Sequence, residues 1–252
     1  MIDLKPPYIP PHAKRVPHRH NLFHMLKKNS IGCEVGVLTG ILSKEILRIA
    51  QPKVLHLVDF WRDPIEVKEA TKFLEDNVPH PANDHWVARR ITGPEAMKET
   101  LEKFKDEIAR GTVRIHHQMS QDFLATLPDH SLDWIYLDSD HSYPTIHAEL
   151  RLARKKVKWG GWIMGHDYCT VLPDVEKAVD EFCRKFNLTV AILTDEYEYP
   201  VYLKPDGYPD FCAFNSFAII NEPIWSCHVL RRIFLKHWRR HFGDRKKEGK
   251  KA

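Results

Sequence analysis

Ser30 to Gly40 reads S-I-G-C-E-V-G-V-L-T-G, a short apolar run that ends in an acid, Glu34, and two glycines, Gly36 and Gly40. A second apolar run, Lys53 to Phe60 (K-V-L-H-L-V-D-F), ends in another acid, Asp59. Between them, Thr39 to Ala50 spaces Ile41, Leu42, Ile46, Leu47 and Ile49 as a helix with a broad apolar face, closed by Pro52. Two buried strands joined by one helix form a βαβ unit, and each strand delivers a carboxylate to the carboxyl edge of a sheet. That unit suits a nucleoside.

The same pattern continues along the chain. Strands are expected at Thr112–Gln118, Leu132–Asp138, Trp162–Asp167, Thr189–Thr194 and Ser216–Asn221. Helices are expected at His20–Lys28, Pro64–Asp76, Pro94–Arg110, Ser120–Leu127, Pro144–Val157 and Pro173–Phe186. Gly160-Gly161 is expected to separate a helix from its following strand. Strict alternation through residue 194 predicts a doubly wound, mainly parallel α/β sheet with helices on both faces. The last two strands are joined by about 20 residues without a strong helical pattern, which leaves them open to antiparallel pairing. The five prolines in residues 1–17 suggest an extended arm. The natural divisions are 1–29 (arm and short helix), 30–222 (nucleoside-binding domain) and 223–252 (basic helix and tail). Residues 62–110 are a long insertion that suits a cover over a substrate.

Composition narrows the class. At 252 residues and 43% apolar, the chain has enough material for one sizeable core. No apolar run approaches the ~20 residues of a membrane span, and the N-terminus lacks a signal-peptide core. Cys33, Cys169, Cys183, Cys212 and Cys227 are odd in number and without C-x-x-C, which fits reduced thiols and a cytoplasmic setting. From Arg231 onward ten Lys/Arg stand against two Asp/Glu, a net +8, so the preceding residues carry −4 of the +4 total. Val229 to Phe242 places Leu230, Phe234, Trp238 and Phe242 on one helical stripe among arginines. A docked terminal helix explains it, and so does contact with an anionic membrane or nucleic acid.

E-x-G-x-x-x-G is not the G-x-G-x-x-G of a dinucleotide site, and no Walker lysine follows. A ligand with a ribose and a cationic centre fits the two acids better. Glu34 is expected at the cationic amino-acid end, and Asp59 is expected to accept the ribose hydroxyls. Gly36 and Gly40 let the backbone pass close to the ligand.

The reactive candidates lie at two later strand ends, L-D-S-D-H-S-Y and G-H-D-Y. In a doubly wound sheet these ends meet beside the ligand crevice, so Asp138, Asp140, His141, His166 and Asp167 are expected to converge. A base near neutral pKa is the role expected of His141, with Asp138 beside it. A divalent cation on Asp138 and Asp167, with His166 as a further ligand, is the other way to lower the pKa of a bound group. Asp140 and Ser142 also read as helix-start residues before Pro144. Tyr143 and Tyr168 read as walls, and Trp61 as either a core residue or a platform for the base. His12, His18, His20 and His24 have no ligand geometry. His116 and His117 face opposite sides of a strand.

E-V-G-V-L-T-G with V-D-F-W downstream resembles the class I S-adenosylmethionine-dependent methyltransferases. Leu132 to Tyr168, with D-x-D-H-S-Y and G-G-x-I-x-x-H-D, resembles the branch containing small-molecule O-methyltransferases of sugars and macrolides, some of them metal-dependent. The resemblance implies a Rossmann-like, seven-stranded sheet with the last strand antiparallel. It implies S-adenosylmethionine as cofactor, bound through Glu34, Gly36, Gly40, Asp59 and Asp138, with Ser120 and Gln121 at the adenine. Asp138 to His141 matches that branch's ligand-and-base spacing. Where related metal sites carry two adjacent acids, this chain has His166-Asp167, which would favour Mn over Mg. The expected activity is methylation of a small hydroxylated acceptor. An RNA methyltransferase using the tail and a non-catalytic cofactor-binding protein are the alternatives.

Overall fold

A computed structural model describes residues 13–62, 93–168, 173–195, 197–203, 209–213 and 215–222. The strands are β1 (Lys14–Val16), β2 (Ile31–Val35), β3 (Val54–Asp59), β4 (Val113–His117), β5 (Leu132–Leu137), β6 (Val157–Tyr168), β7 (Val190–Thr194), β8 (Tyr197–Leu203), β9 (Pro209–Ala213) and β10 (Asn215–Ile220). The helices are α1 (His20–Phe23), α2 (Ile41–Ala50), α3 (Gly93–Lys103), α4 (Lys105–Ala109), α5 (Ser120–Thr126), α6 (Tyr143–Lys156) and α7 (Pro173–Phe186).

One sheet runs in the order β1-β7-β10-β6-β5-β2-β3-β4. All its pairings are parallel except those of β10, which is antiparallel to both β6 and β7. The doubly wound sheet with an antiparallel last strand is therefore present. Its strand order reverses beside β2, which lies between β3 and β5. The strands are apolar because helices cover both faces. α5, α6 and α7 contribute Phe123, Leu150, Val179 and Phe182 to one core. α1, α2 and α3 contribute Phe23, Ile46 and Ala96 to the other.

Several expectations need correction. Residues 14–16 of the expected extended arm pair with the sheet and add an eighth strand, with Lys14, Arg15 and Val16 opposite Ile192, Leu193 and Thr194 of β7. The helix expected over 20–28 is a single turn, His20–Phe23, although Leu22, Phe23 and the following Leu26 are all buried. The helix expected over 94–110 breaks at Phe104, which is buried against Gly40. β6 begins directly after α6 and runs through Gly160-Gly161 instead of starting at Trp162. There a side chain on Gly161 would meet the Asp133 carbonyl at 2.4 Å. The stretch before β10 forms the β8–β9 hairpin. The helix expected over 64–76, His12, and the tail from residue 223, including the stripe over 229–242, lie outside the described residues.

Cys33 and Cys183 are buried free thiols. Among the described residues no helix is long and apolar enough to cross a membrane.

Candidate active site

The loop after β2 is held by its neighbours on both sides. Gly36 N–H donates to the Val58 carbonyl (2.9 Å), and Asp138 N–H donates to the Val35 carbonyl (2.8 Å). Gly36 has φ +84, and a Cβ there would lie 1.8 Å from the Asp138 carbonyl oxygen. Only glycine satisfies both conditions. Leu38 (φ +51) and Gly40 (φ +72) are also left-handed, so the chain doubles back tightly between β2 and α2.

Asp59 at the end of β3 ties this loop down. Its Oδ2 accepts from Val37 N–H and Leu38 N–H, both at 2.8 Å. Its Oδ1 accepts from Trp61 N–H at 2.8 Å. A carboxylate has about four acceptor sites, so one remains after these three bonds. Trp61 is buried, and its indole N–H donates to the Leu38 carbonyl at 2.8 Å, which places it in the core beneath the loop.

Glu34 is 1% exposed and does not line an open crevice. Ser43 on the first turn of α2 donates to its Oε2 at 2.5 Å. Burial pushes its carboxyl up to about 8, against the lowering effect of Ser43. Glu34 thus joins β2 to α2 below the loop.

At the end of β4, Ser120 opens α5 and is buried, with the half-buried Gln121 beside it. The Ser120 hydroxyl donates to Glu149 Oε1 (2.5 Å), and the Ser139 hydroxyl donates to the same oxygen (2.7 Å). Glu149 is fully buried, and burial pushes its carboxyl up to about 7. No sequence expectation covered Glu149. The available signal was an acid on the apolar stripe of α6, three residues after Ile146 and beside Leu150.

The reactive side chains do converge at the ends of β5 and β6. His141 Nε2 lies 2.7 Å from Asp167 Oδ2. His166 Nδ1 lies 3.0 Å from Asp167 Oδ1 and 3.8 Å from Asp138 Oδ1. Asp167 is reached with φ +60, a conformation an aspartate tolerates better than most residues. Burial opposes ionisation of Asp167, yet hydrogen bonds from His141 and His166 hold its carboxyl well below the usual range. Burial raises Asp138 to about 6, with the Asp167 charge adding to it and His166 opposing it. Burial lowers the His141 imidazole, but its bond to Asp167 and the nearby carboxylate charges outweigh this and raise it. Asp140 stands apart: it accepts from Ser142 N–H (2.8 Å) and pairs with Arg62 (3.2 Å), the helix-start role. Tyr143 donates to Glu181 (2.5 Å), and Tyr168, which is buried in the core, donates to Asp180 (2.8 Å). His116 bonds His56 (2.9 Å) while His117 bonds the Phe60 carbonyl (2.8 Å), on opposite faces.

The donor set suited to a cation differs from the expected one. Asp138, His141 and Asp167 each offer a ligand atom, all within 4.8 Å of one another. His166 is outside this group: Arg19 Nη2 contacts its Nε2 at 2.7 Å, and its Nδ1 lies 3.0 Å from Asp167 Oδ1. His141 stands beside the two acids in the group as a further candidate ligand.

Residues 30–168, more than half of the chain, match the family described as methyltransferase domain. The chain belongs to this family. The matched span opens at Ser30, before the Gly36 loop, and closes at Tyr168, after the His166-Asp167 pair. The family assigns this methyltransferase to S-adenosylmethionine-dependent transfer. Solved structures similar to it include precorrin 8w decarboxylase from Methanobacterium thermoautotrophicum, at 16% identity and TM-score 0.50, covering 79% of this chain and 85% of that one. Precorrin-6y C5,15-methyltransferase from Geobacter metallireducens is 13% identical with TM-score 0.47, covering 79% and 86%. A SAM-dependent O-methyltransferase from Thermotoga maritima is 10% identical with TM-score 0.48, covering 83% and 67%. The first likeness speaks for the fold alone, and the two at lower scores add no argument. No curated protein matches the sequence.

Proposed function

We propose that this methyltransferase methylates a hydroxyl group of a small molecule such as a sugar or glycosylated metabolite, with His141 taking the proton. The observation that carries the reading is the His141–Asp167 pair at 2.7 Å, standing at the carboxyl edge next to the Gly36 loop. With Nε2–H given to Asp167, Nδ1 is the basic nitrogen of His141. Its raised pKa suits a proton acceptor near neutral pH. S-adenosylmethionine, when bound, supplies an electrophilic methyl group on a sulfonium. The acceptor oxygen loses its proton to His141 and gains the methyl, and the carbon–sulfur electron pair stays with sulfur.

Residues 30–222 are the transfer domain in this reading. The Gly36–Gly40 loop gives the backbone close approach, and the remaining acceptor site of Asp59 suits one ribose hydroxyl instead of two. Glu34 acts from beneath the loop, a role fitted to its burial. Asp138 faces the donor's cationic end. Ser120 has committed its hydroxyl to Glu149, so Gln121 and the local backbone are left for the adenine.

A second reading rests on the three convergent ligand atoms of Asp138, His141 and Asp167. Two carboxylates and one imidazole suit a divalent cation of the Mg or Mn type, which would lower the acceptor's pKa directly. Incubating the protein with S-adenosylmethionine and a panel of hydroxylated sugars and glycosides, and measuring S-adenosylhomocysteine release, tests the first reading. Transfer only to an RNA substrate, lost when residues 231–252 are removed, would replace it with macromolecular methylation through the tail.

A further inference from the structure

Arg19 lies 147 positions before His166 in sequence, yet its guanidinium meets that ring. The route is set by the fold. β1 ends at Val16 on the carboxyl edge, because β1, β7 and β6 run in the same direction. The chain then turns into α1, anchored by Leu22 and by Phe23, whose ring packs edge-on against Tyr136 at 5.4 Å. Arg19, the residue before α1, is thereby held at the end of β6.

The chemistry of the contact is directional. A guanidinium has five donors and no acceptor. At 2.7 Å, Nε2 of His166 must therefore be the unprotonated nitrogen. The ring proton is then on Nδ1, which lies 3.0 Å from Asp167 Oδ1. That bond occupies one carboxylate oxygen and turns the other, Oδ2, to His141 Nε2 at 2.7 Å.

We propose that Arg19 is a positioning residue for methyl transfer, fixing the Nδ1–H tautomer of His166 so that Asp167 orients the base His141. This rests on the reading of His141 as proton acceptor. It extends the active site to an N-terminal segment that precedes the transfer domain.

The test uses full-length protein labelled with 15N-histidine and long-range proton–nitrogen correlation spectra, which report ring tautomers. His166 signals are assigned by their loss in His166→Gln. The parent should show Nε2 unprotonated and Nδ1 protonated. Arg19→Ala should collapse the difference between the two nitrogens towards an averaged value, and Arg19→Lys, which keeps a cationic donor, should restore part of it. Calorimetric affinity for S-adenosylhomocysteine should stay within about twofold in Arg19→Ala, a change of well under 1 kcal/mol. A parent with Nε2 protonated, or an Arg19→Ala variant that keeps the parent tautomer, overturns the proposal. So does loss of cofactor affinity in Arg19→Ala, which would place Arg19 in the nucleoside crevice. Failure of the parent itself to bind S-adenosylhomocysteine strikes the methyl-transfer reading and leaves the tautomer result to be judged separately.

Discussion

Gly36 and Asp138 stand so close that a Cβ on the glycine would lie 1.8 Å from the aspartate's carbonyl oxygen. The loop after β2 and the residue that follows β5 are thus fitted backbone to backbone. Gly36→Ala should cost roughly 3 kcal/mol or more of stability, from the positive φ and the collision together. Calorimetry should also find no binding of S-adenosylhomocysteine. An alanine variant with parental stability would show that β2 and β5 can separate at no cost.

Asp59 carries three backbone N–H groups, so its removal should loosen the loop as well as weaken the ribose contact proposed for it. Asp59→Ala is expected to lose about 1–3 kcal/mol in urea unfolding. S-adenosylhomocysteine affinity should fall at least about tenfold. Binding as tight as the parent's would end the ribose assignment.

His141→Ala should slow methyl transfer by about 100- to 10,000-fold, the usual range for removing a general base. Affinity for S-adenosylhomocysteine should be unchanged, since His141 faces the acceptor in this reading. Turnover that survives the substitution would move the base elsewhere.

The three-ligand cation set is tested by manganese titration followed by electron paramagnetic resonance. Asp138→Asn and His141→Ala should weaken binding more than His166→Gln, because Arg19 and Asp167 already occupy both nitrogens of His166. The opposite order would restore His166 as the ligand. If chelation leaves turnover intact, the cation reading is lost and the base reading stands.

Glu34 makes stability depend on pH. Its folded pKa, about 8, lies above the ordinary glutamate value of 4.5. Below that ordinary value both folded and unfolded chains are protonated and there is no effect. Above it the unfolded chain releases its proton first, so this contribution falls as pH rises through the window up to about 8. Glu34→Gln, which keeps an acceptor for Ser43, should flatten the fall in unfolding free energy between pH 5 and pH 8, by on the order of 2 kcal/mol, as read from urea unfolding. An unchanged profile would show that Glu34 ionises inside the fold without cost.

Much of the architecture could be read from periodicity. The α7 helix carries Val175, Ala178, Val179 and Phe182 at helical spacing and is found at the expected residues, 173–186. β2, β3, β5 and β10 are apolar because they are covered on both faces, and that leaves a local trace. The strand at 14–16 left none, since K-R-V becomes a strand only by pairing with β7. The break at Phe104 escaped detection for a similar reason: the residue satisfies a helical pattern, and its burial against Gly40 is a tertiary event.

The reactive cluster divides along the same line. Acids and histidines at strand ends mark where chemistry will lie, because strand polarity alone sends Asp59, Asp138, His141 and Asp167 to one edge of the sheet. Which partner each one takes depends on atoms that are far apart in sequence. Spacing could not show that Asp59 would hold the Val37 and Leu38 amides, that Ser43 would cap Glu34, or that Glu149 would bracket Ser120 with Ser139. It could not show that Arg19 would contact the ring of His166, or that His141 would reach Asp167. The sequence by itself determined the fold class and the edge at which the site forms, because hydrophobic period and strand direction are local properties. Only the tertiary structure decided the partners, because a hydrogen bond a few ångströms long is set by the packing of whole elements.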